Sequence, residues 1–162
     1  MKIIKHLFVC LLILISCELF AQVPATQVEN SKGEKFNTSK MIDNETPFIV
    51  SFWSTTCKPC LRELDAISEQ MPDWLEEVKF RLFAISTDDA RSSAKAKSLA
   101  EGRGWEDFTV LYDKNQEFMR AMNVTLVPQV FVFDAKGKMI YSHTGYTPGS
   151  EAELLKVLKG KK

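Results

Sequence analysis

Cys57 and Cys60 stand with two residues between them where an apolar, strand-forming run gives way to a helical pattern. The thiolate, rather than the thiol, attacks a disulfide, so redox chemistry requires the first cysteine to ionise near neutral pH. At a helix start Cys57 faces unpaired backbone N–H groups and the positive end of the helix dipole, and both favour the anion. Lys58 adds a positive charge acting in the same sense. Cys60, one turn on, is within reach of the Cys57 sulfur and can resolve the mixed disulfide that attack creates. Cys57 is thus the expected nucleophile and Cys60 the expected resolving thiol.

Other uses of the pair are open to the same residues. A purely structural disulfide closing so small a loop would restrict the unfolded chain little. A zinc site would need a second pair of ligands, and beyond the first residues the chain offers only His143. A module that holds Cu(I) through the two cysteines and hands it on is the main alternative. A domain that makes no use of its thiols is another.

The chemistry also depends on where the protein resides. Lys2 and Lys5, the apolar run over 7–15 and a short segment ending at Phe20-Ala21-Gln22 read as a secretory leader over 1–21, followed by one domain over 22–162. Cleavage after Ala21 gives a soluble exported protein. A competing site, Leu14-Ile15-Ser16-Cys17, resembles a lipobox and would leave Cys17 acylated as an anchor. Cys10 is lost either way, so Cys57 and Cys60 are the free thiols that remain. Lys plus Arg and Asp plus Glu balance at 21 each, without long runs of one sign, so no nucleic-acid partner is expected. A hydrophobic fraction of 45% in 162 residues suits a single folded domain.

Several elements must position the pair. Short strands over 26–30 and 35–38 flank the turn Ser31-Lys32-Gly33-Glu34. Residues 48–53, continuously apolar apart from Ser51, read as a buried central strand. Leu61, Leu64, Ile67 and Met71 then recur at helical spacing, with Pro59 in the first turn and Pro72 expected to end or bend the helix. A second buried strand is expected over 78–86. Thr87-Asp88-Asp89 should cap a helix from Ala90 to about Ala100, which stops at Gly102 and Gly104. A third strand over 108–112 and a short helix over 116–122 lead to Pro128. Strands over 130–133 and 138–142 form a hairpin, and Ser150-Glu151-Ala152-Glu153 reads as a capping box for a last helix through Lys159. The order βαβαβαββα gives a mixed sheet with helices on both faces.

Phe52-Trp53-Ser54-Thr55-Thr56-Cys57-Lys58-Pro59-Cys60 resembles the thioredoxin-fold motif F-W-x-x-x-C-x-x-C, and Val127-Pro128 is similar to that fold's cis-proline loop. Gly145 matches the glycine after its last strand. The N-terminal hairpin, the inserted strand–helix unit over 78–104 and the leader make the chain similar to the TlpA/ResA-like periplasmic oxidoreductases, over roughly 25–159. The resemblance implies an α/β thioredoxin-like fold whose central mixed sheet has helices on both faces. It implies exchange with protein disulfides in the periplasm of a Gram-negative bacterium, by a monomer recharged from a membrane electron donor, without cofactor or metal. Cys57, Cys60, Glu63 and Pro128 would be catalytic, and Trp53, Lys58, Pro59 and Val127 would meet the substrate. Proline before the second cysteine resembles the reducing members. Cytochrome c maturation is a familiar task of the branch, but no residue selects it.

Departures from the family patterns matter as well. Thioredoxin carries a buried aspartate six residues before the first cysteine, where this chain has Ser51. The TlpA/ResA-like branch has a glutamate three residues after the second cysteine, matched by Glu63. There Glu63 shares a helix face with Cys60 and can take its proton, or it simply favours the first helical turns. A peroxiredoxin would need proline and threonine where Val50 and Ser54 stand. Gln129 replaces the threonine that often follows the cis-proline. Trp53 either shields the site or belongs to the core, Trp74 and Trp105 are expected to pack, and His143 reads as a strand-edge residue rather than a catalyst.

Overall fold

The computed structural model describes residues 22–160. The expected leader, its two candidate cleavage sites and Cys17 lie outside the described residues.

Seven strands form one mixed sheet, β1 (Gln27–Glu29), β2 (Lys35–Asn37), β3 (Phe48–Trp53), β4 (Arg81–Ser86), β5 (Thr109–Tyr112), β6 (Gln129–Phe133) and β7 (Met139–Thr144), in the order β2-β1-β5-β4-β3-β6-β7. β3 runs parallel to β4, and β4 to β5, while the remaining pairings are antiparallel. The β1–β2 hairpin turns at Gly33, whose φ of +81° suits a residue without Cβ. It extends the sheet beyond β5. Four helices, α1 (Lys58–Glu77), α2 (Ser93–Gly102), α3 (Glu117–Ala121) and α4 (Ala152–Leu158), cover the sheet.

β3 lies inside the sheet, between β4 and β6, and every one of its side chains is buried. Ile49 and Trp53 face a core built with Leu64 and Ile67 of α1, Ala96 and Ala100 of α2 and Leu154 of α4. Phe48, Val50 and Phe52 face the opposite core, with Phe118 of α3 and Met41. A strand buried on both faces reads as an unbroken apolar run for this reason.

Several expectations about element ends are corrected. α1 does not end at Pro72 but continues to Glu77. Pro72 lies on the exposed face, while Leu61, Leu64, Ile67, Met71 and Trp74 are buried on the other. An interior proline costs about 3 kcal/mol. Each large side chain returns about 1.5–3 kcal/mol on burial, so the apolar face prevails. α2 starts at Ser93 rather than Ala90, because Asp89 Oδ1 accepts from the Ser92 amide and hydroxyl and holds 89–92 in a turn. The capping box at α4 does not form, for Glu153 pairs with Lys156 instead. Glu151 there accepts from the Gly149 amide, Tyr146 hydroxyl and Gln70 side chain. The strands expected over 78–86 and 108–112 are shorter, Arg81–Ser86 and Thr109–Tyr112.

Candidate active site

Where β3 gives way to α1, Cys57 is the N-cap residue, with extended backbone (φ −88°, ψ 90°), and Pro59 lies in the first turn. Cys57 and Cys60 are joined in a disulfide of S–S 2.02 Å. The Cys60 amide donates to Cys57 Sγ at 3.2 Å, so one of the orphan N–H groups of the helix start is aimed at this sulfur. The two sulfurs differ in access. Cys60 is fully buried and Cys57 half-buried, so an incoming disulfide can reach only Cys57.

Val127 brings its backbone to the same sulfur, its carbonyl oxygen 3.6 Å from Cys57 Sγ. The Val127–Pro128 peptide bond is cis. Pro128 is buried, and its carbonyl accepts from the Gly145 amide at 2.8 Å. Gly145 has φ +82°, the left-handed region that favours glycine. Gln129 donates to the His143 carbonyl at 2.8 Å, a further tie between β6 and β7. Lys58 is exposed and Pro59 half-buried beside the disulfide. Leu126, next to Val127, is 63% exposed and so free to meet a partner.

Trp53 is corrected as a substrate-facing residue. It is fully buried, packed edge-on against Trp105 with ring centroids 5.1 Å apart. It supports the site from beneath and offers no surface to a partner.

Asp88, read from the sequence only as part of a helix cap, fixes the loop ahead of Cys57. Its Oδ2 accepts from the Thr55 amide at 2.9 Å and the Ser86 hydroxyl at 2.9 Å, and its Oδ1 from the Thr55 hydroxyl at 2.7 Å. Thr87 adds a bond to the Trp53 carbonyl, so the end of β4 holds the end of β3 and the approach to the cysteine. The run Thr87-Asp88-Asp89 signals capping, but it does not signal that Asp88 caps a loop 33 residues earlier.

Glu63 lies one helical turn beyond Cys60, and its side chain has no exposed area. Its Oε1 is 2.7 Å from His143 Nε2, while Oε2 has no hydrogen-bond partner among the described residues. Burial raises the Glu63 carboxyl above the usual glutamate range, and the hydrogen bond and charge of His143 work against that rise. His143 does lie on an edge strand, as expected, but half-buried rather than turned to solvent. Cross-strand partners place Ser51, Val130 and His143 in one row across β3, β6 and β7. Val130 belongs to the core beneath α1, so the row faces that helix. Ser51 Oγ is buried with no partner among the described residues, so it offers no carboxylate where thioredoxin has one. Along β7 half-buried and exposed residues alternate, with His143 on the half-buried side, but exposed Ile140 breaks any matching apolar–polar alternation in the sequence.

The site therefore offers an accessible sulfur at a helix start, a shielded second sulfur, and a buried carboxylate a turn away. No group of three or more His, Cys, Asp or Glu among the described residues can hold a metal ion. A family model described as Redoxin matches residues 21–158. The solution structure of an uncharacterized thioredoxin-like protein from Porphyromonas gingivalis is 49% identical, with a TM-score of 0.76 over 87% of this chain and 92% of that one. The crystal structure of a putative thiol:disulfide interchange protein DsbE from Chlorobium tepidum shares the fold at 21% identity and a TM-score of 0.73, over 87% of this chain and 95% of that one. The curated thiol-disulfide oxidoreductase ResA of Geobacillus kaustophilus is 28% identical over 59% of this chain and 53% of its own length. This chain spans between about half and two thirds of the length of the first curated relatives it matches.

Proposed function

This chain belongs to the Redoxin family, and from that premise we propose that it is a thiol–disulfide oxidoreductase that reduces protein disulfides in the cell envelope. The observation that carries this reading is the asymmetry of the pair: a half-buried Cys57 sulfur at a helix N-cap, facing the Val127 carbonyl, with Cys60 buried behind it.

In the dithiol form the Cys57 thiolate attacks one sulfur of a substrate disulfide. The substrate S–S bond breaks, a Cys57–substrate disulfide forms, and the first substrate sulfur leaves as thiolate. Cys60 then loses its proton to Glu63 and attacks Cys57 Sγ, expelling the second substrate sulfur. Two electrons pass from the cysteine pair to the substrate, and two protons accompany them by way of solvent. Glu63 suits the acceptor role because it is buried, carries one oxygen without a partner, and has its basicity raised by burial. A membrane donor then returns the electrons.

Val127 and exposed Leu126 give an extended peptide a backbone carbonyl and an apolar contact beside the sulfur. That arrangement supports a protein substrate. Lys58 and Pro59 border the same opening. The expected leader over 1–21 supports an envelope location, and the described residues contain no helix long and apolar enough to cross a membrane. The working form is a monomer with no bound cofactor.

The test is the reduction potential of the Cys57–Cys60 couple, by equilibration with glutathione, with Cys57→Ser as control. A value near about −250 mV or lower is expected, by comparison with roughly −270 mV for thioredoxin. A value near about −120 mV would mark an oxidant and reverse the direction of flow. A protein with no reversible couple is not an oxidoreductase, and Cu(I) binding by the reduced pair then becomes the reading to test.

A further inference from the structure

Glu63 is sealed from water, yet a carboxylate that takes a proton from Cys60 at each turnover must be able to lose it again. Its Oε1 meets His143 Nε2 at 2.7 Å. His143 keeps 17% of its side chain exposed on the edge strand β7, whereas Glu63 has none exposed. The imidazole thus joins a buried acceptor to solvent.

We propose that His143 is the proton outlet of Glu63, a positioning residue that holds the carboxylate and carries its proton between the buried site and water. The inference rests on the oxidoreductase reading above. As Cys60 attacks, its S–H bond breaks and the proton moves to Glu63. The freed electron pair forms the Cys60–Cys57 bond, the Cys57–substrate bond breaks, and the substrate thiolate leaves to be protonated from solvent. Glu63 gives its proton to His143 Nε2, and the ring releases one proton to water. In the reverse direction, when a donor reduces the disulfide, the same route returns a proton to Cys60.

The groups around Glu63 fit a single open route. From β7 come His143 and Tyr141, whose rings lie 5.7 Å apart. Tyr146 follows β7, and its hydroxyl donates to Glu151 at the start of α4. Glu151 acts on Glu63 as a like charge, discouraging its ionisation, and the charge of Glu63 is a minor contributor to the raised Tyr141 and Tyr146 hydroxyls. The two tyrosines are raised above their ordinary value, chiefly by burial, and are poor proton carriers at neutral pH. Glu151 is occupied by Gln70, Tyr146 and the Gly149 amide. Among these groups His143 alone both hydrogen-bonds Glu63 and keeps part of its ring exposed to solvent.

The experiment resolves the two chemical steps by single-turnover kinetics on a peptide disulfide, across pH, in wild type, His143→Gln, His143→Ala and Glu63→Gln. Attack by Cys57 should change less than about twofold in the histidine variants. Resolution by Cys60 should slow about tenfold or more, with an altered pH profile. Free imidazole should restore His143→Ala in proportion to its concentration. The double variant Glu63→Gln/His143→Gln should be no slower than Glu63→Gln alone. Wild-type resolution rates and pH profile in His143→Gln overturn the proposal, as does an additive loss that imidazole does not rescue. If the variants do not fold, nitrogen NMR of His143 in the wild type decides. Its ring shifts should respond to the change from disulfide to dithiol, and shifts indifferent to redox state overturn the outlet. Wild-type protein unable to exchange disulfides overturns the oxidoreductase reading itself, whereas active wild type with indifferent variants removes only His143.

Discussion

Two buried carboxylates flank the redox pair, and they are finished differently. Asp88 spends both oxygens on three donors from Thr55 and Ser86, and so clamps the loop leading into Cys57. Glu63, on the helix beyond Cys60, has one oxygen on a histidine and the other without a partner among the described residues. A carboxylate whose two oxygens are both taken up by fixed donors serves as scaffold. One left half-satisfied out of water is costly to keep charged, and that cost is what makes it basic enough to accept a proton. Sequence position does not distinguish the two; their partners do.

The comparison can be broken most directly by removing the basic group. Glu63→Gln should slow the resolving step by about 100-fold or more, equivalent to ~2.7 kcal/mol of barrier, with Cys57 attack little affected. Stopped-flow single turnovers would show it, and equal slowing of both steps would mean that Glu63 is not specific to Cys60. Asp88→Ala should act on folding instead. Losing three bonds to a charged acceptor should lower unfolding free energy by about 2 kcal/mol in urea titrations, and an undiminished midpoint would remove the scaffold role.

A finer distinction lies in pH. The folded-state value of Glu63 is raised above its unfolded value, so the protonated group favours folding at low pH. That contribution is lost as pH rises from the ordinary 4.5 through the raised value. Wild type should therefore lose stability relative to Glu63→Gln between acid and neutral pH, measured by paired urea titrations. A flat difference would mean that Glu63 carries no unusual proton affinity. The smallest expected effect is that of Lys58, an exposed charge beside Cys57. Lys58→Gln should reduce the rate of Cys57 alkylation at pH 6 by less than about threefold, because exposed charges couple weakly. A tenfold loss would make Lys58, rather than the helix start, the main activator of Cys57.

The local parts of this design are legible in the sequence. An apolar run buried on both faces announces β3, and a helical pattern opening at Cys57 places the pair at its junction. Gly33 marks the turn of the added hairpin. What stayed hidden depends on distance along the chain or on competition between local forces. The passage of α1 through Pro72 was decided by its buried face, which outweighs one proline. The failure of the capping box was decided by Lys156, a rival partner for Glu153. Asp88 meets Thr55 across 33 residues and His143 meets Glu63 across 80, pairings that depend on strand register and on how α1 docks on the sheet. Trp53 was misplaced for a related reason, since the side of the strand that Trp105 covers is set by α2 and the chain after it.

The 80-residue separation of Glu63 and His143 also has a meaning in time. A ribosome adding roughly 5–20 residues per second delivers the two cysteines and Glu63 several seconds before His143 exists. A nascent chain at that stage carries its thiols and its acceptor but lacks β7, the strand that seats the histidine. The reactive couple is made early, and the histidine beside its acceptor comes only with the strand at the edge of the sheet.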